Sequence, residues 1–242
     1  MIIRLPFALV LLASLFHLNP LKADVITSGS ATINLNTSVF GALGLTPDRF
    51  YGSGSGASTA TGAEIVGGIG GTVINPVPTT LNLLHTINVG AVSNPSDRAR
   101  QSTVLDINPL TPASTWGVGE RIGIDGVLRF ALPNSTSFSL GDYSLTFDSS
   151  QTRLSIVNNL SFPAEAFRVN APVFTSGANG FQVEGSLLIG SGLAGFGFTE
   201  GSTAGSFSLN AITAVPEPTS SILVMGALAG FGWLRWRRTA PC

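Results

Sequence analysis

Four carboxylates, Glu120, Asp125, Asp142 and Asp148, fall within one short stretch of this 242-residue chain. Two carboxyl groups facing each other across a cleft can hydrolyse a glycoside, one as acid and the other as base or nucleophile. The same oxygens, joined by loop carbonyls, could hold Ca²⁺, which takes roughly six to eight oxygen ligands. No EF-hand or nonapeptide calcium spacing accompanies them, and solvated turns of a β protein have the same composition. A Ser-His-acid arrangement needs a histidine. His85 sits in Leu83-Leu84-His85-Thr86-Ile87, the setting of a strand residue with a local hydrogen bond, and no GxSxG elbow occurs. One histidine without a cysteine beside it cannot supply the three or four N/S ligands of a zinc site. No metal and no cofactor are therefore expected. Gly52-Ser53-Gly54-Ser55-Gly56-Ala57 loosely fits GxGxxA, but no strand precedes it and no helix follows, so a flexible loop is the expectation.

Sugar binding asks for an exposed aromatic platform ringed by amides and carboxylates. Trp116, Tyr51 and Tyr143 are the residues of suitable amphipathic character. Trp116 follows Pro112-Ala113-Ser114-Thr115 and precedes Gly117. It is a candidate glycan contact in a loop, or a plug in the core, the commoner fate of a tryptophan. Asn159-Leu160-Ser161 spells a glycosylation sequon, a pattern that also arises by chance.

The elements that must position these residues read as short strands. Ala31, Ile33, Leu35 and Val39 mark an early strand, and Gly52 to Gly71 a long glycine-softened loop or weak strand pair. Leu81, Leu83, Ile87 and Val89 follow the Pro76-Val77-Pro78 break, and Asn94-Pro95-Ser96-Asp97 is a turn. Ile122, Ile124, Leu128, Phe130 and Leu132 share even parity, with Arg121, Asp125 and Arg129 facing the other way. Parity then changes at Gly141-Asp142, as a bulge or turn would make it. Leu154 with Ile156, then Phe181 to Ile189, then Phe207 with Leu209 and Ile212 supply the last strands. Pro163 to Val169, with Ala164, Glu165 and Ala166, predicts one short helical turn. The fold class expected is all-β: a single antiparallel β-sandwich or jelly-roll-like domain.

Both ends of the chain differ from this body. Met1-Ile2-Ile3-Arg4 is a basic start, Leu5 to Phe16 an apolar run, and Leu21-Lys22-Ala23 a cleavage context before Asp24. Together they predict a secretory signal peptide over 1–23, cut between Ala23 and Asp24 by signal peptidase. At the other end stand Val215-Pro216-Glu217-Pro218, an apolar run from Thr219 to Leu234, and Arg235-Trp236-Arg237-Arg238. Pro216 and Pro218 fix φ, so the chain around Glu217 is held extended. At about 1.5 Å per residue the apolar run spans roughly 24 Å as a helix, short of the ~30 Å hydrocarbon core. Trp233 and Trp236 suit an interface, and Arg235, Arg237 and Arg238 suit a cytoplasmic stop. Gly226 and Gly230 form a GxxxG spacing, either a helix-packing face or small-residue filler.

This tripartite tail resembles the PEP-CTERM sorting signal. The resemblance covers about twenty-five residues and lies in the tail. It implies recognition of Val215, Pro216, Glu217 and Pro218 by an exosortase, a multi-spanning membrane protease and transpeptidase. It also implies a bacterium with an outer membrane that secretes exopolysaccharide. The run Leu140 to Asp148, Asn158-Asn159 and Phe162-Pro163 is more weakly similar to other PEP-CTERM bodies and carries no chemistry with it.

The expected organisation is 1–23 signal peptide, 24–214 extracellular β domain, 215–238 sorting signal with a transmembrane helix, and 239–242 tail. Cys242 and Lys22, each the only residue of its type, and both methionines lie outside the body, so no disulfide framework is available to it. Between Asp24 and Pro216 seven arginines stand against twelve carboxylates, a net charge near −5. That balance argues against nucleic acid as a partner. The chain is expected to be exported, held transiently in the inner membrane, cut near Glu217, and released to the cell envelope or the exopolysaccharide matrix. No catalytic activity is expected of it. A carbohydrate-binding module or, less directly, a secreted glycoside hydrolase are the alternatives.

Overall fold

The computed structural model describes residues 24–214, apart from 109, 135 and 178. The signal peptide, the Pro-Glu-Pro motif, the apolar tail and the arginine stop all lie outside the described residues. Among the described residues thirteen strands follow one another, with short helices between them. They are β1 (Asp24–Asn36), α1 (Thr37–Gly41), β2 (Thr46–Tyr51), α2 (Gly62–Gly67), β3 (Thr72–Val73), β4 (Thr80–Ile87) and β5 (Asp106–Ile107). There follow α3 (Pro112–Thr115), β6 (Ile122–Asp125), β7 (Val127–Ala131), β8 (Ser137–Gly141), β9 (Ser144–Asp148) and β10 (Arg153–Asn158). The series ends with β11 (Ala164–Gly177), β12 (Gly180–Ile189), a 3-10 turn (Ser191–Phe196) and β13 (Thr203–Thr213).

Eight of these strands close on themselves. The order β13-β12-β11-β10-β9-β6-β4-β1 returns to β13, and every pairing is antiparallel. The all-β expectation holds, but the architecture is a closed barrel in place of an open sandwich. The seam runs from Ile26 opposite Thr213 to Leu35 opposite Gly205. Alternating hydrophobicity tells which face of a strand is buried; it does not tell which strand comes next. Closure pairs the first and last strands and removes both edges.

A second sheet, β3-β2-β7-β8, grows out of the barrel wall. The long even-parity run of the sequence is therefore two strands. Gly126 separates β6, in the barrel, from β7, in the second sheet, and Asp142 marks the corresponding bend between β8 and β9. Gly126 has φ 129°, and Asp142 has φ 49°, a left-handed conformation that Asp tolerates better than most residues. The parity change at Gly141-Asp142 is this bend.

The barrel is filled by side chains, as expected of eight strands. Ile33 and Leu35 of β1, Leu83 of β4, Leu145 of β9, Leu154 and Ile156 of β10, and Leu187 of β12 are all buried. Asn36 caps α1 by accepting from the Ser38 backbone N–H, so that Val39, expected in the early strand, falls in the helix, and α1 delivers Phe40 into the core. There Phe40 stacks on Phe130 at 4.9 Å and meets Phe167 and Phe198 edge-on. Pro163 to Val169, expected as a helical turn, lies largely in β11. Ala166, Phe167 and Val169 are buried against the barrel core, and that packing overrides local helix preference.

Candidate functional site

The polar chemistry of the body converges at the bend between the two sheets. Asp125 ends β6 and Asp142 lies between β8 and β9, so antiparallel pairing brings them to the same place. Arg98 and Arg100 reach them from the segment that connects β4 to β5. Arg98 is fully buried. Its Nε donates to Asp142 Oδ2 at 2.7 Å and its Nη2 to Asp142 Oδ1. Its remaining donors bind the carbonyls of Ala60, at 2.8 Å, and Ala57, at 2.9 Å. Arg100 forms the same two-pronged pair with Asp125, at 2.7 and 2.8 Å, and donates to the Ser93 carbonyl at 2.7 Å. Arg98 Nη2 also stands 4.0 Å from Asp125, so the four charges form one neutral chain.

Asparagines complete the cluster. Asn88 Nδ2 donates to the Gln101 carbonyl at 2.9 Å. Asn158 Oδ1 accepts from the Gly141 N–H at 2.8 Å, and Asn159 Nδ2 donates to the Asp142 carbonyl at 2.7 Å. Asn159, the sequon residue, is thus spent on fixing the bend. Each Arg-carboxylate pair ties an irregular segment to the barrel. Arg98 anchors the glycine-rich stretch through Ala57 and Ala60, and Arg100 anchors the turn around Ser93 and Asn94. Such forked pairs combine charge with fixed geometry, which suits a staple.

His85 lies one layer further in. It is fully buried between Phe50, 5.3 Å away, and Tyr143, 5.6 Å away, both edge-on. Nδ1 is 3.0 Å from the Asp125 carbonyl oxygen, which can only accept, so the proton sits on Nδ1. Nε2 is buried without a partner among the described residues. Burial pushes the imidazole down to about 4, against a smaller upward pull from Asp125. Burial also pushes the Tyr143 hydroxyl up, with Asp142 adding to the effect. A neutral, enclosed imidazole bonded to a carbonyl is a packing residue, as its strand setting suggests.

The other sequence candidates are dispersed. Trp116, named above as a candidate glycan contact, is 5% exposed and packs on Phe147 and Phe181 at 6.0 and 6.4 Å. Its Nε1 donates to the Glu120 carbonyl at 3.3 Å. It plugs the core and is no exposed platform; Tyr51 and Tyr143 are buried too. Glu120 holds the Gly117 N–H at 2.6 Å, and Asp148 closes the β9-β10 turn through the N–H groups of Ser150 and Gln151. Of the four carboxylates, the structure brings together Asp125 and Asp142, and both are neutralised by arginine. Among the described residues no three His, Cys, Asp or Glu side chains gather as metal ligands. The first described residue, Asp24, begins β1 beside the expected cleavage point.

No protein-family model, curated protein or solved structure matches this chain. What the site can do must come from its own geometry.

Sequence reasoning passed over two signals. Thr61-Gly-Ala-Glu64 is a capping box. The Thr61 N–H donates to Glu64 Oε2 at 2.8 Å, and the Glu64 N–H donates to Thr61 Oγ1 at 3.2 Å. Contrary to the expectation of no flanking strand or helix, the glycine-rich stretch therefore follows a strand, β2, and ends in a helix start, that of α2. The second signal is Asp97-Arg98-Ala99-Arg100, two arginines of like parity beside a turn, in a chain poor in cations. Two clefts open on the surface. One, of about 330 Å³, lies between α2, β8 and the loop after β10. The other, of about 250 Å³, lies between α1, β2 and the segment before β4. A cluster of Phe138, Phe162 and Phe196 also reaches the surface, with centroids 5.0 to 6.2 Å apart and Phe196 half exposed.

Proposed function

We propose that the chain is an exported, exosortase-processed protein of the cell surface or exopolysaccharide matrix, with a binding or structural role and no catalysis of its own. One observation carries this. One compact unit runs from Asp24 to Ala214, and the expected cuts at Ala23-Asp24 and near Glu217 would fall at its margins. The Ala214 N–H still donates to the Val25 carbonyl at 3.0 Å, whereas Val215 begins the sorting motif. Cutting at Ala23-Asp24 and near Glu217 would remove no strand. Both ends of the mature domain would leave the barrel side by side at the β1-β13 seam.

Chemistry and composition favour the same view. The acidic groups that could have formed a hydrolytic pair are held in arginine forks or turn caps. Without cysteine or lysine the body relies on its core and on burying its edges, which suits a domain that leaves the cell. Signal peptidase and an exosortase are the implied processing partners, and exopolysaccharide the implied surroundings. The inner membrane would be met only in transit. Among the described residues no helix is long and apolar enough to cross a membrane. The experiment is intact mass spectrometry of the released protein, with and without Glu217→Ala and Pro218→Ala together. The expected product lacks Ser220 to Cys242, and the double variant stays in the inner membrane. Released protein that retains the apolar tail, or normal delivery of the variant, would remove the sorting function.

A further inference from the structure

We infer that the barrel end opposite Asp24 and Ala214 is a docking surface for a second copy of this chain, the two copies meeting end to end about a twofold axis. β1, β10 and β12 run in one direction, with β11 and β13 antiparallel between them. The segments that follow these three strands therefore emerge at one end of the barrel, while Asp24 and Ala214 lie at the other. β1 alone, at about 3.3 Å per residue, puts roughly 40 Å between the ends. Aromatic side chains reach the surface at the far end. The rings of Phe138, Phe162 and Phe196 form a triangle, with centroids 6.2, 5.0 and 5.1 Å apart. Phe138 also meets Phe130 at 5.9 Å, and Phe130 stacks on Phe40, so the core braces the triangle. Phe196 is 50% exposed and Leu43 39%. A Cβ added at Gly197 would lie 3.5 Å from Leu43, and one at Gly44 would lie 3.6 Å from the exposed Pro133. The apolar surface thus continues from the 3-10 turn to the loop after α1.

Charge decides the partner. Segments 37–45, 132–138, 159–163 and 190–199 contain no Asp, Glu, Lys, Arg or His. The next charge along the chain from each is paired: Asp48 with Arg129, Asp142 with Arg98, and Glu165 and Glu200 with Arg168. In a twofold contact each patch faces its own copy, so a charge there would meet its like. A body with a net charge near −5 repels itself, and this end is where two copies approach without that cost. An apolar, aromatic and charge-depleted surface is also the make-up of an interface core. A sugar fits less well. These segments offer no carboxylate, the Asn134 side-chain oxygen is taken by Thr136, and Asn159 is spent on the bend. End-to-end pairing would send the two pairs of chain ends in opposite directions, so a dimer would link the surfaces or polymer strands that carry its two halves. That linking rests on the export proposed above; the pairing itself does not.

The test is sedimentation equilibrium on the protein in the form that the cells release, from roughly micromolar to millimolar concentration. A reversible monomer–dimer equilibrium is expected, at least as tight in ~0.5 M salt as in ~0.1 M, because salt screens the repulsion between the two bodies. Phe196→Ala should weaken it by about tenfold or more, since each substitution enters a twofold contact twice. Phe196→Glu should leave monomer, and Leu43→Glu should do the same if Phe196→Glu fails to fold. Phe196→Glu mixed with Phe196→Lys should pair more tightly than either alone, which a damaged fold would not produce. Val173→Glu, an equal charge on the exposed barrel wall, should leave the dimer unchanged. Monomer at every concentration would overturn the inference. So would a dimer that dissolves in ~0.5 M salt, or one that survives Phe196→Glu, as association through a retained apolar tail would. So would monomeric protein that uses Phe196 to bind neutral sugars or phosphatidylcholine vesicles. The mass of the released protein is read separately, so a failure here leaves the sorting proposal standing.

Discussion

Replacing Asp142 by Asn should cost the folded domain about 3 kcal/mol. Asn keeps the shape of the side chain and tolerates the left-handed backbone at φ 49°, so the change isolates the charge. Arg98 and Asp142 are both fully enclosed. Removing one partner of a buried ion pair leaves the other charge uncompensated, typically at a cost of about 3–5 kcal/mol. Two features hold the loss at the lower end. The Asp125 carboxylate stands 4.0 Å from Arg98, and the carbonyls of Ala57 and Ala60 remain in place. For a domain of this size each kcal/mol lowers Tm by about 2–4 °C, so a drop of about 6–12 °C is expected. Trp116 is the only tryptophan between Asp24 and Ala214, and its burial in the core makes its emission a reporter of unfolding. The loss should persist in ~1 M salt, because buried charges are poorly screened. Glu200→Gln, which breaks a partly exposed pair with Arg168, should cost less than about 1 kcal/mol. A loss below about 1 kcal/mol in Asp142→Asn, or one abolished by salt, would refute the staple.

Two further expectations follow from the barrel. His85 is held neutral, with its folded pKa near 4 against 6.5 for the free side chain, so the unfolded chain binds the extra proton between those values. Stability from this residue is complete above pH 6.5 and falls as pH drops toward 4, by about 3 kcal/mol in all. The difference in stability between parent and His85→Leu across this window measures it, and parallel pH curves would refute it. At the seam, a Cβ on Gly205 would overlap the Asn34 carbonyl oxygen, whereas one on Gly54 meets open space. Gly205→Ala should leave the protein unfolded or insoluble and Gly54→Ala should cost no more than about 1–2 kcal/mol, read by thermal unfolding; equal effects would count against closure at β1-β13.

Much of the local structure was written in residue order. The alternation in Leu81-Leu83-Ile87 and Leu154-Ile156 marks real strands, Asp148-Ser149-Ser150 is a real turn, and the parity change at Gly141-Asp142 is a real bend. These are short-range facts, set by side-chain sterics and by which face meets water. The same rules misplaced Pro163 to Val169, because Ala and Glu favour helix only until Phe167 and Val169 find a core to fill.

What the sequence by itself determined was the β class of the body and its lack of cysteine for a disulfide. Each depends on composition or on near neighbours along the chain. Only the tertiary structure decided that β1 meets β13 to close a barrel, that Arg98 finds Asp142 forty-four residues away, and that Trp116 faces inward. It also decided that the hydroxyl of Ser139 is buried without a hydrogen-bond partner among the described residues. Those outcomes depend on which distant segments become neighbours, and alternation along a strand is the same whichever partner lies beside it.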